Sequence, residues 1–304
     1  MLSIYSVSYL LKISHLLFTE NIFFDILLMG DDVMMKISEI KSPAIAGVIR
    51  EKNVRSVIAE IKNCMYDGAD MIDVHMSCME KTDVETLKQV VASTSLPILA
   101  LNYNTDYYWN DLGLTEEERV SSFERAIEAG FAGIDVQGYT FDINSKNGFV
   151  GDDKYSFTKN NPKEIVTDEK IISKQCELIE KAHFNNVEVL LSCHPGIPMN
   201  CQQVVELALY MEKRNPDIIK IVTAANTDDE LFESIKTMKV LKEELKVPVS
   251  FHTNGVCGSL SRAINPVLGG HIAFCVDKFN EGSTMEQLDL KTAKIIIDNL
   301  KKVL

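Results

Sequence analysis

From residue 43 onward the chain repeats one pattern with few exceptions. A short β-branched apolar run ends in polar residues, and an amphipathic stretch follows it. The apolar runs at 44–49, 71–75, 97–101, 133–136, 187–192, 218–222, 248–252 and 271–276 have the length and composition of buried strands. Apolar residues recur at helical spacing over 54–66, 83–91, 116–129, 169–183, 202–213, 229–245 and 260–266, and a last helix is expected over 288–302. Eight strands alternating with helices predict an α/β fold of the (β/α)8 TIM barrel type. A doubly wound sheet alternates as well, but no Gly-rich nucleotide turn follows the first strand. No linker or composition break divides residues 36–304, which are therefore read as a single catalytic domain.

Two stretches depart from this rhythm. Residues 1–35 are rich in Leu, Ile, Phe and Tyr, but Lys12, His15, Glu20 and Asp25 interrupt every apolar run. None reaches the ~18 apolar residues of a membrane helix, and no basic start, apolar core and cleavage site combine into a signal peptide. This stretch is read as a poorly defined N-terminal extension, with Met34 or Met35 as the expected natural start. The second departure is the connection at 139–167, which leaves the fourth strand and contains an Asn-Asn-Pro turn at 160–162. It is either a lid or a solvated excursion, and it starts on the face where barrel active sites form.

Charge narrows the class of partner. Lys and Arg number 31 against 44 Asp and Glu, a formal net charge of −13. That balance excludes nucleic acid and anionic membrane as partners, since both need a basic surface. A small anionic substrate stays open, because it responds to the field of its pocket rather than to the whole-protein sum. Seven cysteines without CxxC spacing suggest reduced thiols in a cytoplasmic protein.

In a parallel barrel, residues at the strand C-termini converge on one cavity. They include Asp73 and His75 on strand two, Asn102 and Tyr103 after strand three, and Asp135 and Gln137 on strand four. Strand five ends in Ser192-Cys193-His194, and strand seven in His252-Thr253-Asn254. Strand six holds Lys220 between aliphatic neighbours. A buried lysine is rare, and desolvation favours the neutral amine that attacks a carbonyl. The competing reading pairs Lys220 with Asp135 or Asp73, or lets it reach water. His194 lies on the strand adjacent to Lys220 and can move protons near neutrality. His75 and His252 could join His194 and a carboxylate around Zn or Fe, although no HxH or HExxH spacing marks such a site. Gly255 to Arg262 opens a helix whose backbone N–H groups suit an anion, and the Arg262 fork matches a carboxylate.

These pieces, in this order, resemble the type I 3-dehydroquinate dehydratase family. The resemblance spans residues 44–300 and rests on Gly-x-x-Gly-x-x-Ser-Arg at 255–262, Ser-x-His at 192–194, Ile-Lys-Ile at 219–221 and Gly-Ala-Asp-Met-Ile-Asp at 68–73. It implies a cofactor-free, metal-free barrel that dehydrates 3-dehydroquinate to 3-dehydroshikimate in the shikimate pathway of aromatic amino acid biosynthesis. It also implies Lys220 as the imine-forming residue, His194 as proton shuttle, Arg262 as carboxylate binder, and a homodimer. The surrounding shell differs. Asp73 and His75 replace Glu-x-Arg, Tyr103 replaces an arginine, and Gln137 replaces a glutamate. Ser283 and Gln287 keep the Ser-x-x-x-Gln spacing of the loop after strand eight. The expected substrate contacts are thus Arg262, Asp73, His75, Tyr103, Gln137, Ser283 and Gln287, with Asp73 also a candidate to orient His194. The altered shell leaves two alternatives: an imine-forming lyase or aldolase on another keto acid, and a catalytically idle anion-binding barrel.

Overall fold

A computed structural model describes residues 35–104, 112–143, 164–279 and 283–302, within one compact unit that begins at Met35. The extension at 1–34 and most of the long connection after strand four lie outside the described residues. The elements alternate as the sequence pattern requires: β1 (Ala44–Ile49), α1 (Val54–Tyr66), β2 (Met71–His75), α2 (Val84–Val91), β3 (Ile98–Leu101), α3 (Glu116–Ala129), β4 (Gly133–Gln137) and α4 (Glu169–Phe184). They continue with β5 (Glu188–Cys193), α5 (Cys201–Glu212), β6 (Ile218–Ala224), α6 (Asp228–Glu244), β7 (Val249–Asn254), α7 (Gly258–Ile264), β8 (Ile272–Val276), β9 (Leu288–Asp289) and α8 (Leu290–Lys301). Helix starts follow from local chemistry. Asn53, Asp83, Thr115, Asp168, Asn200, Thr227 and Asp289 each accept a backbone N–H in the first turn of the helix they precede. α7 has no such side-chain cap.

All ladders are parallel, in the order β7-β6-β5-β4-β3-β2-β1-β8-β9. The ring closes between β7 and β8 without a ladder. The His271 N–H donates to the Val249 carbonyl at 2.8 Å, and the Ile272 N–H donates to Ser250 Oγ at 2.9 Å. Side chains of α7 and of the residue that caps its end serve the rest of this seam: Asn265 Nδ2 donates to the Phe251 carbonyl at 3.1 Å, and Ser261 Oγ accepts the Thr253 N–H at 2.9 Å.

Strand periodicity then decides what faces where. Side chains alternate between the two faces of each strand, so Ile45, Ile72, Ile134, Val189 and Ile219 pack outward beneath the helices. The opposite set forms an inner layer from Ala46, Met71, Leu99, Leu190, Ile218 and Ile272, together with Ile37 from a short 3-10 turn. Two residues further along the same inward rows stand Asp73, Ser192 and Lys220. The apolar layer closes one end of the barrel, and the polar layer opens at the strand C-termini. All seven cysteines are free thiols. Among the described residues, no helix is long and apolar enough to cross a membrane.

Candidate active site

A cavity of about 420 Å³ opens at the strand C-termini, a size that suits a small ligand. Lys220, His194, Arg262, Asp73, His75, Tyr103, Ser283 and Gln287 all line it.

Lys220 is 5% exposed although its neighbours on β6 are aliphatic, because the inward row passes through position 220. Its Nζ lies 3.4 Å from Asp135 Oδ2 and 4.3 Å from the centre of the Phe274 ring. The two readings of this lysine therefore coincide: it is buried at a cavity wall and it has a carboxylate partner. Asp135 is fully buried, and desolvation pushes its carboxyl up while Lys220 and the Ser192 hydroxyl pull it down.

His194 is held on both edges of its ring. Nδ1 lies 3.2 Å from Glu164 Oε2, which also accepts the His194 backbone N–H at 2.8 Å. Nε2 lies 3.3 Å from the Tyr103 hydroxyl. A carboxylate facing Nδ1 puts the proton of the neutral ring there and leaves the lone pair on Nε2. Burial, reinforced by Lys220, Arg262 and His75, holds the imidazole well below its usual titration range, so the ring is neutral. Tyr103 is pushed well above the ordinary phenol range, chiefly by burial, and keeps its proton.

Asp73 was the expected orienter of His194, but its Oδ2 lies 3.5 Å from His75 Nε2 and Glu164 takes the place at His194. Glu164 carries no sequence signal; it stands 30 residues before His194, inside the long connection. Burial, with a further push from Arg50, lowers His75 to about 4. Arg50 is a second residue that the sequence reading passed over, although a charge directly after an apolar strand marks a strand C-terminus. It lines the cavity and donates from Nη1 to Gln287 Oε1 at 3.0 Å.

Two expectations are corrected. The N–H groups of residues 255–258, before and at the start of α7, are taken up within the fold rather than offered to a ligand. Gly255 donates to Glu286 Oε1, Val256 to Asn226 Oδ1, Cys257 to the Ala225 carbonyl and Gly258 to the Gly255 carbonyl. The turn folds back on itself, which a Cβ at 255 would obstruct at 2.5 Å from Asn226 Oδ1. Gln137 does not line the cavity either; it is fully buried between Arg119 and Asp135. His252 does face the cavity, 6.4 Å from the Phe274 ring. Among the described residues, no three His, Cys, Asp or Glu side chains converge as metal ligands.

Arg262 donates from Nη2 to Asn254 Oδ1 at 2.6 Å, and burial lowers it to about 10, against the opposing pull of Glu286. Its Nε is buried without a hydrogen-bond partner, and so is Asp73 Oδ1, among the described residues. Both residues line the cavity, and each carries a buried polar atom whose hydrogen-bonding capacity is unused.

The family model for type I 3-dehydroquinase matches residues 45–302. The chain belongs to that family. A 3-dehydroquinate dehydratase of Alkaliphilus oremlandii is 27% identical over 132 residues, covering 41% of this chain and 49% of that protein. One from Listeria monocytogenes is 23% identical over 194 residues, covering 62% of this chain and 71% of that protein. The crystal structure of 3-dehydroquinate dehydratase from Geobacillus kaustophilus superposes with a TM-score of 0.69 at 14% identity, covering 88% of this chain and 96% of that one. That likeness establishes the barrel fold.

Proposed function

We propose that this type I 3-dehydroquinase is a hydro-lyase that dehydrates 3-dehydroquinate through an imine on Lys220. The observation that carries the reading is that a buried amine, a neutral histidine and an arginine line one cavity of about 420 Å³. The amine of Lys220 attacks the ketone, water leaves, and a protonated imine forms. The imine withdraws electrons, so the carbon next to it can release a proton to His194 Nε2. The electron pair then expels the β-hydroxyl group, to which His194 returns the proton, and a second water molecule departs. Hydrolysis of the imine frees the unsaturated ketone and regenerates Lys220. Arg262 receives the substrate carboxylate, Asp73 Oδ1 a substrate hydroxyl, and Ser283, Gln287, His75 and Tyr103 complete the pocket. A reducing cytosol suits the seven free thiols, and the homodimer implied by the resemblance belongs to the same proposal.

Borohydride trapping tests the chemistry. Intact mass should show one reduced adduct with 3-dehydroquinate, and Lys220→Ala should abolish it along with turnover. A panel of other keto acids that trap while 3-dehydroquinate does not would transfer the reading to a different substrate.

A further inference from the structure

A line of buried hydrogen bonds begins behind the cavity and ends on its lysine. Arg119, fully buried on α3, grips Glu116 through Nε at 2.9 Å and Nη2 at 2.6 Å. From Nη1 it donates to the Asn102 carbonyl at 2.9 Å and to Gln137 Oε1. A guanidinium only donates, so this contact fixes which way the Gln137 amide faces. Its Nε2 is thereby turned to Asp135, donating to the backbone carbonyl at 2.7 Å and to Oδ1 at 3.2 Å. Ser192 Oγ donates to the same Oδ1 at 2.5 Å. With Oδ1 held by two donors, Oδ2 is the oxygen presented to Lys220 Nζ, at 3.4 Å.

We infer that Gln137 is a positioning residue rather than a substrate contact: Arg119 orients its amide, the amide fixes the Asp135 carboxylate, and that carboxylate holds the Lys220 amine at the cavity wall. The inference rests on the reading of Lys220 as the imine-forming residue. The amide supplies an N–H to Asp135 that a carboxylate at this position lacks. A glutamate at 137 would bind Arg119 as well as glutamine does, but it would meet Asp135 with lone pairs instead of an N–H. Asp135 also faces the charge of Asp73, and burial already pushes its carboxyl up. Losing the amide donor favours its protonated form, whose oxygen no longer serves as a fixed acceptor that holds the Lys220 amine in place. Two carboxylates in contact cannot both stay charged at low cost.

The test uses the full chain and the borohydride reaction with 3-dehydroquinate, followed as adduct mass against time at several ketone concentrations. Gln137→Met, which has neither donor nor charge, is expected to lower the limiting trapping rate by about ten-fold or more while the half-saturating ketone concentration stays within about two-fold. Gln137→Leu, equally without donor or charge, should give the same split, so the measurement survives if the methionine variant fails to fold. A raised half-saturating concentration at an unchanged limiting rate would mean that Gln137 touches substrate, and would overturn the inference. Unchanged values for both would overturn it too. The wild-type reaction is read first, because absence of any adduct there strikes at Lys220 itself rather than at Gln137.

Discussion

Glu164 shows how much one side chain outside every sequence pattern can govern. It binds both the backbone and the ring of His194, and the ring nitrogen it faces determines which nitrogen keeps the lone pair for the proposed proton transfer. Glu164→Gln keeps the size but can present an N–H to Nδ1, which would move the ring proton to Nε2. We expect Lys220 adducts to form normally in that variant. Turnover should fall by up to the ~10²–10⁴-fold that general acid–base catalysis supplies. Steady-state rates beside adduct mass would separate the two steps. Lys220 and His194 were legible in the sequence because a charge inside an aliphatic strand and a histidine at a strand end violate their local surroundings. Glu164 was not, since a carboxylate in a long polar connection looks like every other solvated one. Arg119 was hidden for the same reason: Glu116-Glu117-Glu118-Arg119 reads as the wet side of a helix, yet the arginine is fully buried.

The elements themselves were easier to read than their contents. β1, β2, α1 and α3 have the predicted limits, because short β-branched runs and amphipathic stretches meet at Gly, Asn, Asp and Thr. α7 starts two residues before its first apolar position, and β9, two residues long, has no periodicity to detect. The end of β4 is where element packing reaches the chemistry. Gly138 donates to the Ser192 carbonyl at 2.7 Å and accepts the Val166 N–H at 3.1 Å, so three chain segments pass at one point. A Cβ there would lie 2.2 Å from the Glu164 carbonyl oxygen and 2.5 Å from Cys193 Sγ. Gly138→Ala should therefore push the 164–166 segment outward. We expect a stability loss of about 1–3 kcal/mol, the usual range for overpacking, by chemical denaturation. Activity should fall further than stability, because Glu164 moves with the segment.

At the scale of the whole molecule, the acidic sum of −13 describes the exterior and conceals an interior lined by Lys220, Arg262 and Arg50. Buried histidines set the acid limit of the fold. His75, His194, His252 and His271 are all lowered from their usual value by desolvation, His75 to about 4. Such groups cost nothing above about pH 6.5, where neither state is protonated. Below it, the unfolded chain takes up protons that the folded chain refuses, and stability declines until each folded-state value is passed. Asp135 and Asp277, the latter pushed up to about 6, act in the opposite direction over part of this window. Four groups against two predict a melting temperature that falls steadily from pH 6.5 towards pH 4 in a thermal titration. The seam between β7 and β8 has a different consequence. The segment whose Ser261 and Asn265 stand in for the missing ladder also carries Arg262, so the piece that latches the ring is the one on which the proposed substrate carboxylate would sit. Occupancy and closure are therefore linked equilibria: a carboxylate seated on Arg262 disfavours every state in which the ring has sprung open, and ligand binding tightens the barrel.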